Sequence, residues 1–275
     1  MTQTILITGA SSGFGRAFAL EALRLGYNVV ATARSAERVA DLAARAPDRV
    51  LALALDVDRP ETFTAAIGAA NDRFGGIDVL INNAGYGLVG ALEETSADEW
   101  QALFRTNVFG AVEMTRAVLP GMRAQGRGAI VNISSMGGQM SWAGFSAYSA
   151  AKFALEGMSE ALADEVRALG IQVMIVEPGA FRTDFAGRAL RHMPVNPAYD
   201  KTVGETRKFA HGMDNIQPGN PEKAARAVFE ALASATPPLR LALGDDAVDG
   251  IRSHAEGVLK TLAEWEDLSR ATAFA

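Results

Sequence analysis

The sequence contains no cysteine, which excludes disulfide bonds, thiolate nucleophiles and cysteine-ligated metal sites. Its three histidines, His192, His211 and His254, lack the spacing of metal ligands, so we predict no metal site. Acidic residues outnumber basic ones, 32 against 26, and no basic run is present. The resulting net charge of -6 argues against nucleic-acid binding.

Long apolar runs are also missing. No stretch approaches the ~18 apolar residues of a membrane span, and the first residues enter a strand pattern without a basic leader. We therefore expect a soluble, cytoplasmic protein that does not bind membranes. A chain of 275 residues can form one large or two small domains. The even spread of apolar residues favours a single α/β domain over residues 1–275.

The most informative pair of residues is Tyr148 and Lys152, which are four positions apart and so share one face of a helix. A lysine ammonium beside a phenol favours the phenolate, so the tyrosine pKa could move from about 10 toward neutrality. Such a tyrosine can act as a general acid or base. The alternative is a chance pairing on an amphipathic helix.

A glycine-rich turn follows the first apolar strand pattern, residues 3–8, and precedes a helical pattern over 16–25. The turn, Gly9-Ala-Ser-Ser-Gly13-Phe-Gly15, lets backbone approach a phosphate, and the helix N-terminus attracts an anion. Strand, glycine turn and helix in this order favour nucleotide binding over a turn that merely packs tightly.

The end of the second strand pattern, residues 27–33, bears on cofactor type. A carboxylate there would bind the ribose hydroxyls of NAD, but this chain has Arg34. Arg34 could pair with the 2′-phosphate of NADP, aided by Ser11 or Arg16, or could be an ordinary surface arginine. The sequence therefore favours NADP(H) over NAD(H).

Polar or small residues also follow the next strand patterns. Asp56 and Val57 come after residues 50–55, where Asp56 could meet an adenine amino group or simply cap the next turn. Residues 77–82 run into Asn82-Asn83-Ala84-Gly85, which suits a cofactor passing over the sheet edge.

A long helical pattern then covers residues 96–123 and is interrupted by Asn107, whose amide needs a hydrogen-bond partner or a water chain if it is buried. The fifth strand pattern, residues 129–135, ends in Ser134-Ser135, and two further strand patterns cover 171–177 and 239–243.

Taken together, these motifs resemble the short-chain dehydrogenase/reductase family. The matching residues are Thr8-Gly9-x3-Gly13-x-Gly15, Asn82-Asn83-Ala84-Gly85, Asn107, Ser135, Tyr148-x3-Lys152, and Pro178-Gly179 with Thr183. The resemblance implies a doubly wound Rossmann fold of about seven parallel strands with helices on both faces. The stretches 83–107 and 178–184 look most similar to the hydroxysteroid- and retinol-dehydrogenase-like group.

The resemblance also implies a reaction: hydride transfer between a nicotinamide cofactor and a secondary alcohol or its ketone or aldehyde. Tyr148 would exchange the proton, Lys152 would lower its pKa and hold the ribose, and Ser135 would bind the substrate oxygen. Asn107 would anchor a water leading to Lys152. The expected catalytic residues are Asn107, Ser135, Tyr148 and Lys152. The expected cofactor-binding residues are Gly9, Ser11, Ser12, Gly13, Phe14, Gly15, Arg34, Asp56, Val57, Asn83, Ala84, Gly85, Tyr148, Lys152, Pro178, Gly179, Phe181 and Thr183.

Two segments fall outside these motifs. Residues 185–218 lack a clear period and resemble a substrate lid, in which large apolar side chains could line a pocket for an apolar substrate or simply pack. These are Met193, Tyr199, Phe209 and Met213. Residues 245–275 form a helical tail whose apolar stripe must be buried, and packing against its own domain is favoured over packing on another subunit.

Three alternatives and one assembly prediction stay open. The chain could be an NAD-dependent dehydrogenase of the same family, or a nucleotide-sensing Rossmann protein that performs no chemistry. A methyl-donor enzyme is disfavoured because Tyr148 and Lys152 would have no task. The resemblance also suggests a homodimer or homotetramer formed through the helices after strands four and five.

Overall fold

Parallel strands form the centre of the molecule in a computed structural model that describes residues 2–213 and 215–274. Met1, Asp214 and Ala275, which belong to the predicted domain, lid and tail, lie outside the described residues. The strands are β1 Thr4–Ile7, β2 Asn28–Ala33, β3 Val50–Ala54, β4 Val79–Asn82, β5 Gly87–Val89, β6 Gly128–Ile133, β7 Ile171–Pro178, β8 Leu190–His192 and β9 Arg240–Leu243. Seven of them form one sheet in the order β3-β2-β1-β4-β6-β7-β9, while β5 and β8 pair separately.

Helices cover both faces of the large sheet. They are α1 Gly13–Arg24, α2 Ala40–Arg45, α3 Phe63–Phe74, α4 Ala97–Phe104, α5 Gly110–Gln125, α6 Ser146–Arg167, α7 Val203–Gly212, α8 Pro221–Leu232, α9 Asp245–Glu264 and α10 Glu266–Arg270. The order of the seven strands, with a crossover on each side of β1, is that of a doubly wound fold. The predicted fold class is confirmed.

The core has two halves because successive strand residues point to opposite faces. Ile5 and Ile7 pack on one side with Phe18 of α1 and Val228 of α8. Leu6 lies on the other side, where the core is formed by strand residues together with residues of α3, α5 and α6. Both halves exclude water, which is why strands β1, β4 and β6 are almost continuously apolar.

The helix predicted over 96–123 is not continuous. Between α4 and α5, residues Arg105–Phe109 form a π-helical turn, in which one extra residue is inserted into the helical ladder. Asn107 lies inside this turn and is 2% exposed. The inserted residue changes the side of the helix on which Asn107 lies. A 3.6-residue period in the sequence does not reveal such an insertion.

The prediction that the tail packs against its own domain is wrong. In α9 only Ala247 is buried, while Val258, Leu262 and Trp265 are 54%, 60% and 57% exposed. The helix meets the body near its start, where Gly250 approaches Met136 and Met140, and then extends away with its apolar stripe uncovered.

Among the described residues, no helix is long and apolar enough to cross a membrane. The same residues contain no group of three or more acidic or histidine side chains placed to hold a metal ion.

Candidate active site

The glycine turn is built as a cradle at the carboxyl end of β1. Gly9 and Gly13 have φ angles of 68° and 52°, in the left-handed region that favours glycine. A Cβ on Gly15 would lie 2.3 Å from the Gly9 carbonyl oxygen, so no side chain fits there. Ser12 stands at the N-cap position of α1, and within the described chain its side chain makes no capping hydrogen bond. The amides at the start of α1 are thus left for an anion, as phosphate binding requires.

Asn83 ties this cradle to the neighbouring strand β4. Its side-chain amide donates to the carbonyl oxygens of Thr8 and Gly9 at 2.9 and 3.1 Å. The Thr8 hydroxyl accepts from the backbone N–H groups of Asn83 and Ala84, both at 3.0 Å. The predicted Asn83-Ala84-Gly85 segment therefore fixes the shape of the turn. Thr8 shares this task and was absent from the predicted cofactor set.

The loop after β7 closes over the same turn. The Phe181 ring packs on that of Phe14 with centroids 5.1 Å apart. A Cβ placed on Gly13 would stand 3.3 Å from the Thr183 Cβ. Pro178-Gly179 begins this loop, and Asp246 holds it by accepting from the Ala180 N–H at 2.7 Å. The structure thus brings Phe181 and Thr183 to the cradle.

Arg34, Asp56 and Val57 lie at the ends of β2 and β3, beside the cradle. Arg34 is exposed, whereas Arg16 is held in an ion pair by Asp41. The Asp56 carboxylate accepts from the Asp58 N–H at 3.2 Å, which is the turn-capping role left open from the sequence. The side chain of Val57 packs against Gly110 at the start of α5, in the core.

Asn107 meets the backbone of Tyr86. Its amide oxygen accepts from the Tyr86 N–H at 3.1 Å, and its amide nitrogen donates to the Tyr86 carbonyl at 2.9 Å. The buried amide therefore has hydrogen-bond partners among protein atoms, one of the two possibilities left open from the sequence. This pairing fixes the segment after Gly85 against the π-helical turn.

Tyr148 and Lys152 lie on one face of α6, and Ser135 reaches them from the end of β6. A Cβ placed on Gly137 would lie 3.3 Å from the Ser135 hydroxyl and 3.3 Å from the Tyr148 ring, so both side chains lie close to this glycine. The Lys152 ammonium lies 5.8 Å from the centre of the Tyr148 ring and donates to the Ile133 carbonyl at 2.8 Å. Three of the four predicted catalytic side chains therefore meet at one edge of the sheet.

The expected shift of the Tyr148 pKa toward neutrality is not seen. Burial raises the pKa of Tyr148 to about 12, although the Ser135 hydroxyl lowers it. Burial also lowers the pKa of Lys152 to about 8, against the opposing charge of Glu156. For Tyr148 the cost of removing the phenolate from water outweighs the effect of the Ser135 hydroxyl, and spacing along a helix does not reveal this burial.

Aromatic side chains surround the phenol. The rings of Phe145 and Phe185 lie 6.1 and 5.6 Å from that of Tyr148, and Leu88 is buried in the same cluster. Phe185 belongs to the predicted lid, residues 185–218. Neither phenylalanine was predicted, although Phe145 stands only three positions before Tyr148.

The predicted lid, residues 185–218, is fixed to the rest of the protein by a strand pairing and an ion pair. Its strand β8 pairs with β5, and Arg207 of α7 forms a buried ion pair with Glu94 at 2.7 Å. Of its large apolar residues, Met193 is buried, whereas Phe209 is 64% exposed. The Tyr199 hydroxyl donates to Glu93 at 2.5 Å on the surface of the protein. The predicted pocket-lining set is thus divided between the core and the surface.

Comparison with known proteins gives consistent results. The family model for short chain dehydrogenases matches residues 3–193. The oxidoreductase BOA17 of Botryotinia fuckeliana is 39% identical over 99% of this chain and all of its own. Retinol dehydrogenase 8 of Bos taurus is 36% identical over 86% of this chain and 80% of its own.

Solved structures agree. A short-chain dehydrogenase from Streptomyces avermitilis is 51% identical over the full length of both chains, and the two structures superpose with a TM-score of 0.94. A Burkholderia phymatum member in complex with NAD is 27% identical over 94% of this chain and 95% of its own, with a TM-score of 0.83. A serine dehydrogenase complexed with NADP+ is 28% identical over 88% of this chain and 94% of its own, with a TM-score of 0.76. The chain therefore belongs to the short-chain dehydrogenase/reductase family and is an oxidoreductase that acts on CH–OH or C=O groups with a nicotinamide cofactor.

Proposed function

We propose that this oxidoreductase uses NADP(H) to interconvert a secondary alcohol and a ketone or aldehyde on a mainly apolar substrate, with Tyr148 as general acid and base. The observation that carries the proposal is the meeting of Ser135, Tyr148 and Lys152 beside the glycine cradle. The Ser135 hydroxyl lies close enough to the Tyr148 phenol to act on its pKa, so the two groups can both bond a single substrate oxygen.

The residues divide the work as follows. The cradle at Gly9, Gly13 and Gly15 suits the cofactor phosphates, because a side chain there would fill it. The bound nicotinamide supplies or accepts the hydride. Ser135 holds the substrate oxygen, and Tyr148 gives a proton to it or takes one from it.

The raised pKa of Tyr148 sets the pH dependence. With a pKa of about 12, the phenol is protonated at neutral pH, which is the form that donates a proton to a carbonyl oxygen. Carbonyl reduction therefore proceeds near pH 7, whereas alcohol oxidation requires the phenolate and accelerates as the pH rises.

The choice of NADP(H) rests on Arg34. It is exposed at the end of β2, where an NAD-specific carboxylate would stand, and Arg16 is already paired with Asp41. We expect Arg34→Asp to weaken NADPH binding at least about tenfold while changing NADH binding little, because one charge-assisted phosphate contact contributes about 1.5–3 kcal/mol. Fluorescence titration measures both affinities, and Arg38→Asp, also exposed, is the matched control. Equal losses for the two cofactors would leave an NAD-dependent dehydrogenase as the better assignment.

Tyr148→Phe tests the proton transfer. Loss of the hydroxyl should lower turnover by about 10²–10⁴-fold while the cofactor still binds. Tyr27→Phe is the control, because Tyr27 packs against Phe229 at the other end of the sheet. Retained turnover in the Tyr148 variant would refute the role of Tyr148. Cofactor binding without turnover in the wild type, across steroids, retinoids, aliphatic ketones and sugar-derived ketones, would favour a nucleotide-sensing protein.

The apolar substrate and the assembly have separate support. Phe145 and Phe185 flank the phenol, so a substrate that reaches Tyr148 lies against aromatic rings. Phe109 before α5 and Phe153 on α6 are 57% and 46% exposed, which supports pairing of subunits through these helices as a homodimer or homotetramer. Gel filtration with light scattering distinguishes these from a monomer.

A further inference from the structure

A buried cluster of charged residues lies directly behind the catalytic pair. Glu156 is four residues after Lys152 on α6, so Tyr148, Lys152 and Glu156 follow one another along one helix face. Glu156 is 2% exposed. A carboxylate placed so deeply requires several partners to offset its lost hydration.

Three side chains donate to the Glu156 carboxylate, and Glu177 lies beside it. One carboxylate oxygen accepts from the Ser134 hydroxyl, and the other accepts from the Gln139 side-chain amide and from Arg240 at 2.5 Å. Burial lowers the pKa of Lys152 and raises that of Tyr148, and the negative charge of Glu156 raises both. Glu156 therefore acts electrostatically on both members of the catalytic pair.

The other charged residues of the cluster lie around Arg240 and pair with it. Its guanidinium also donates to Glu177 of β7 at 2.5 Å and to Glu160 of α6 at 2.8 Å. Burial and the charge of Glu156 raise the pKa of Glu177, which also shares a hydrogen bond with Glu156. Glu160 is 55% exposed and faces water.

The cluster also shapes the strand end that carries Ser135. Ser134 immediately precedes Ser135, and Gln139 lies just beyond the short turn that follows it, so Glu156 binds both sides of that turn. A Cβ on Gly138 would stand 2.0 Å from the Glu156 carboxylate, so the turn lies against it without a gap.

We propose that Glu156 is a positioning residue of the active site, which fixes the Ser135 turn and supplies the counter-charge for the buried ammonium of Lys152. It touches neither substrate nor cofactor and acts through Ser134, Gln139 and Lys152. This inference rests on the proposed function, since it concerns the proton-transfer step of Tyr148.

The test is the pH profile of kcat/KM for alcohol oxidation in the full-length enzyme. Removing a negative charge one helical turn from Lys152 makes the Tyr148–Lys152 pair release its proton more readily. We expect Glu156→Gln to move the acidic limb of the profile to lower pH by about one to two units, from Coulomb's law at an effective dielectric constant near 20. The glutamine can turn its amide oxygen to Arg240 and donate to Ser134, so the variant should fold.

Three further variants separate charge from structure. Glu160→Gln, which also loses an Arg240 contact but faces water, should leave the limb within about 0.3 units of the wild type. Glu156→Asp keeps the charge and shortens the reach, so the limb should stay in place while kcat falls. Gln139→Lys adds a positive charge beside Glu156 without removing a buried group, and it should shift the limb in the same direction as Glu156→Gln.

The outcomes are distinguishable. If kcat falls in Glu156→Gln but the limb stays within about 0.3 units of the wild type, the counter-charge role is overturned. If Glu156→Gln fails to fold, an acidic limb that stays in place in Gln139→Lys overturns the counter-charge role equally. Absence of turnover in the wild type with every substrate and both cofactors would instead count against the proposed function.

Discussion

The Glu94–Arg207 ion pair fastens the lid to the body, and its removal should have a specific pH signature. Glu94 and Arg207 side chains are 2% and 10% exposed. Burial by itself would raise the pKa of Glu94, but hydrogen bonds from Arg207 and from the backbone N–H groups of Asn196 and Ala91 lower it to about 2. We predict that Arg207→Met destabilises the protein at neutral pH and that the difference from wild type disappears in acid.

The magnitude follows from the pKa shift. A fall from 4.5 to about 2 corresponds to about 3 kcal/mol of stabilisation from Arg207 and the two backbone N–H groups together, since each unit contributes about 1.4 kcal/mol, and Arg207 makes the largest of these contributions. Because the folded-state pKa is lowered, this stabilisation is complete above pH 4.5 and is lost as the pH falls toward 2. A loss of about 3 kcal/mol in a chain of this size lowers Tm by about 6 °C.

Urea unfolding of wild type and Arg207→Met between pH 7 and pH 3 measures the prediction. Hydrogen exchange over β8 and α7 shows whether the loss is local to the lid. Glu205→Gln is the matched control, because its pair with Lys208 is on the same helix but exposed, and it should cost less than about 0.5 kcal/mol. A difference below about 1 kcal/mol at pH 7, or one that does not shrink in acid, would refute the reasoning.

Two further predictions concern the cradle and the catalytic lysine. Gly15→Ala should abolish NADPH binding, because its Cβ would stand 2.3 Å from the Gly9 carbonyl oxygen. Gly68→Ala on α3 is the control: its Cβ meets nothing within 4 Å, and the change should stabilise the fold by about 0.5–1 kcal/mol. Unchanged NADPH affinity of Gly15→Ala in a fluorescence titration would contradict the prediction. The pKa of Lys152 is lowered to about 8, so the unfolded chain binds more protons above that pH, and the free energy of unfolding should rise between pH 8 and 10. Lys152→Met should lack this rise in chemical denaturation, and a rise equal to that of the wild type would exclude Lys152 as its source.

The strands of the large sheet were predictable because each is a short apolar run that ends at a polar or glycine-containing turn. All seven are present, although β6 ends at Ile133, so Ser135 lies just past its carboxyl end and not at its last position as predicted. The small sheet was not predictable. Strand β5 is three residues long in a glycine-rich segment, and its partner β8 is about a hundred positions away. Nothing local in a sequence records such a pairing.

The misses have three physical sources. A single inserted residue in a helix, as in the π-helical turn around Asn107, leaves no clear mark on an apolar period. An amphipathic pattern such as that of α9 requires a partner for its apolar face but does not identify it. The direction of the Tyr148 pKa shift depends on burial, which only the packed structure shows. Glu156 could have been recognised, since it continues the spacing of Tyr148 and Lys152 by one more helical turn.

The two ends of the lid lie side by side. Phe181 and Gly219 form a parallel bridge, with the Arg182 N–H donating to the Gly219 carbonyl and the Gly219 N–H donating to that of Ala180 at 2.9 and 3.0 Å. The chain thus leaves the sheet and returns at one point, so a replacement of different length adds little loop-closure entropy, about 0.6 kcal/mol for each doubling. The segment between these ends carries Phe185, which packs on Tyr148. A change of length or sequence there would alter the surroundings of the phenol, while the sheet and the cradle lie outside the segment.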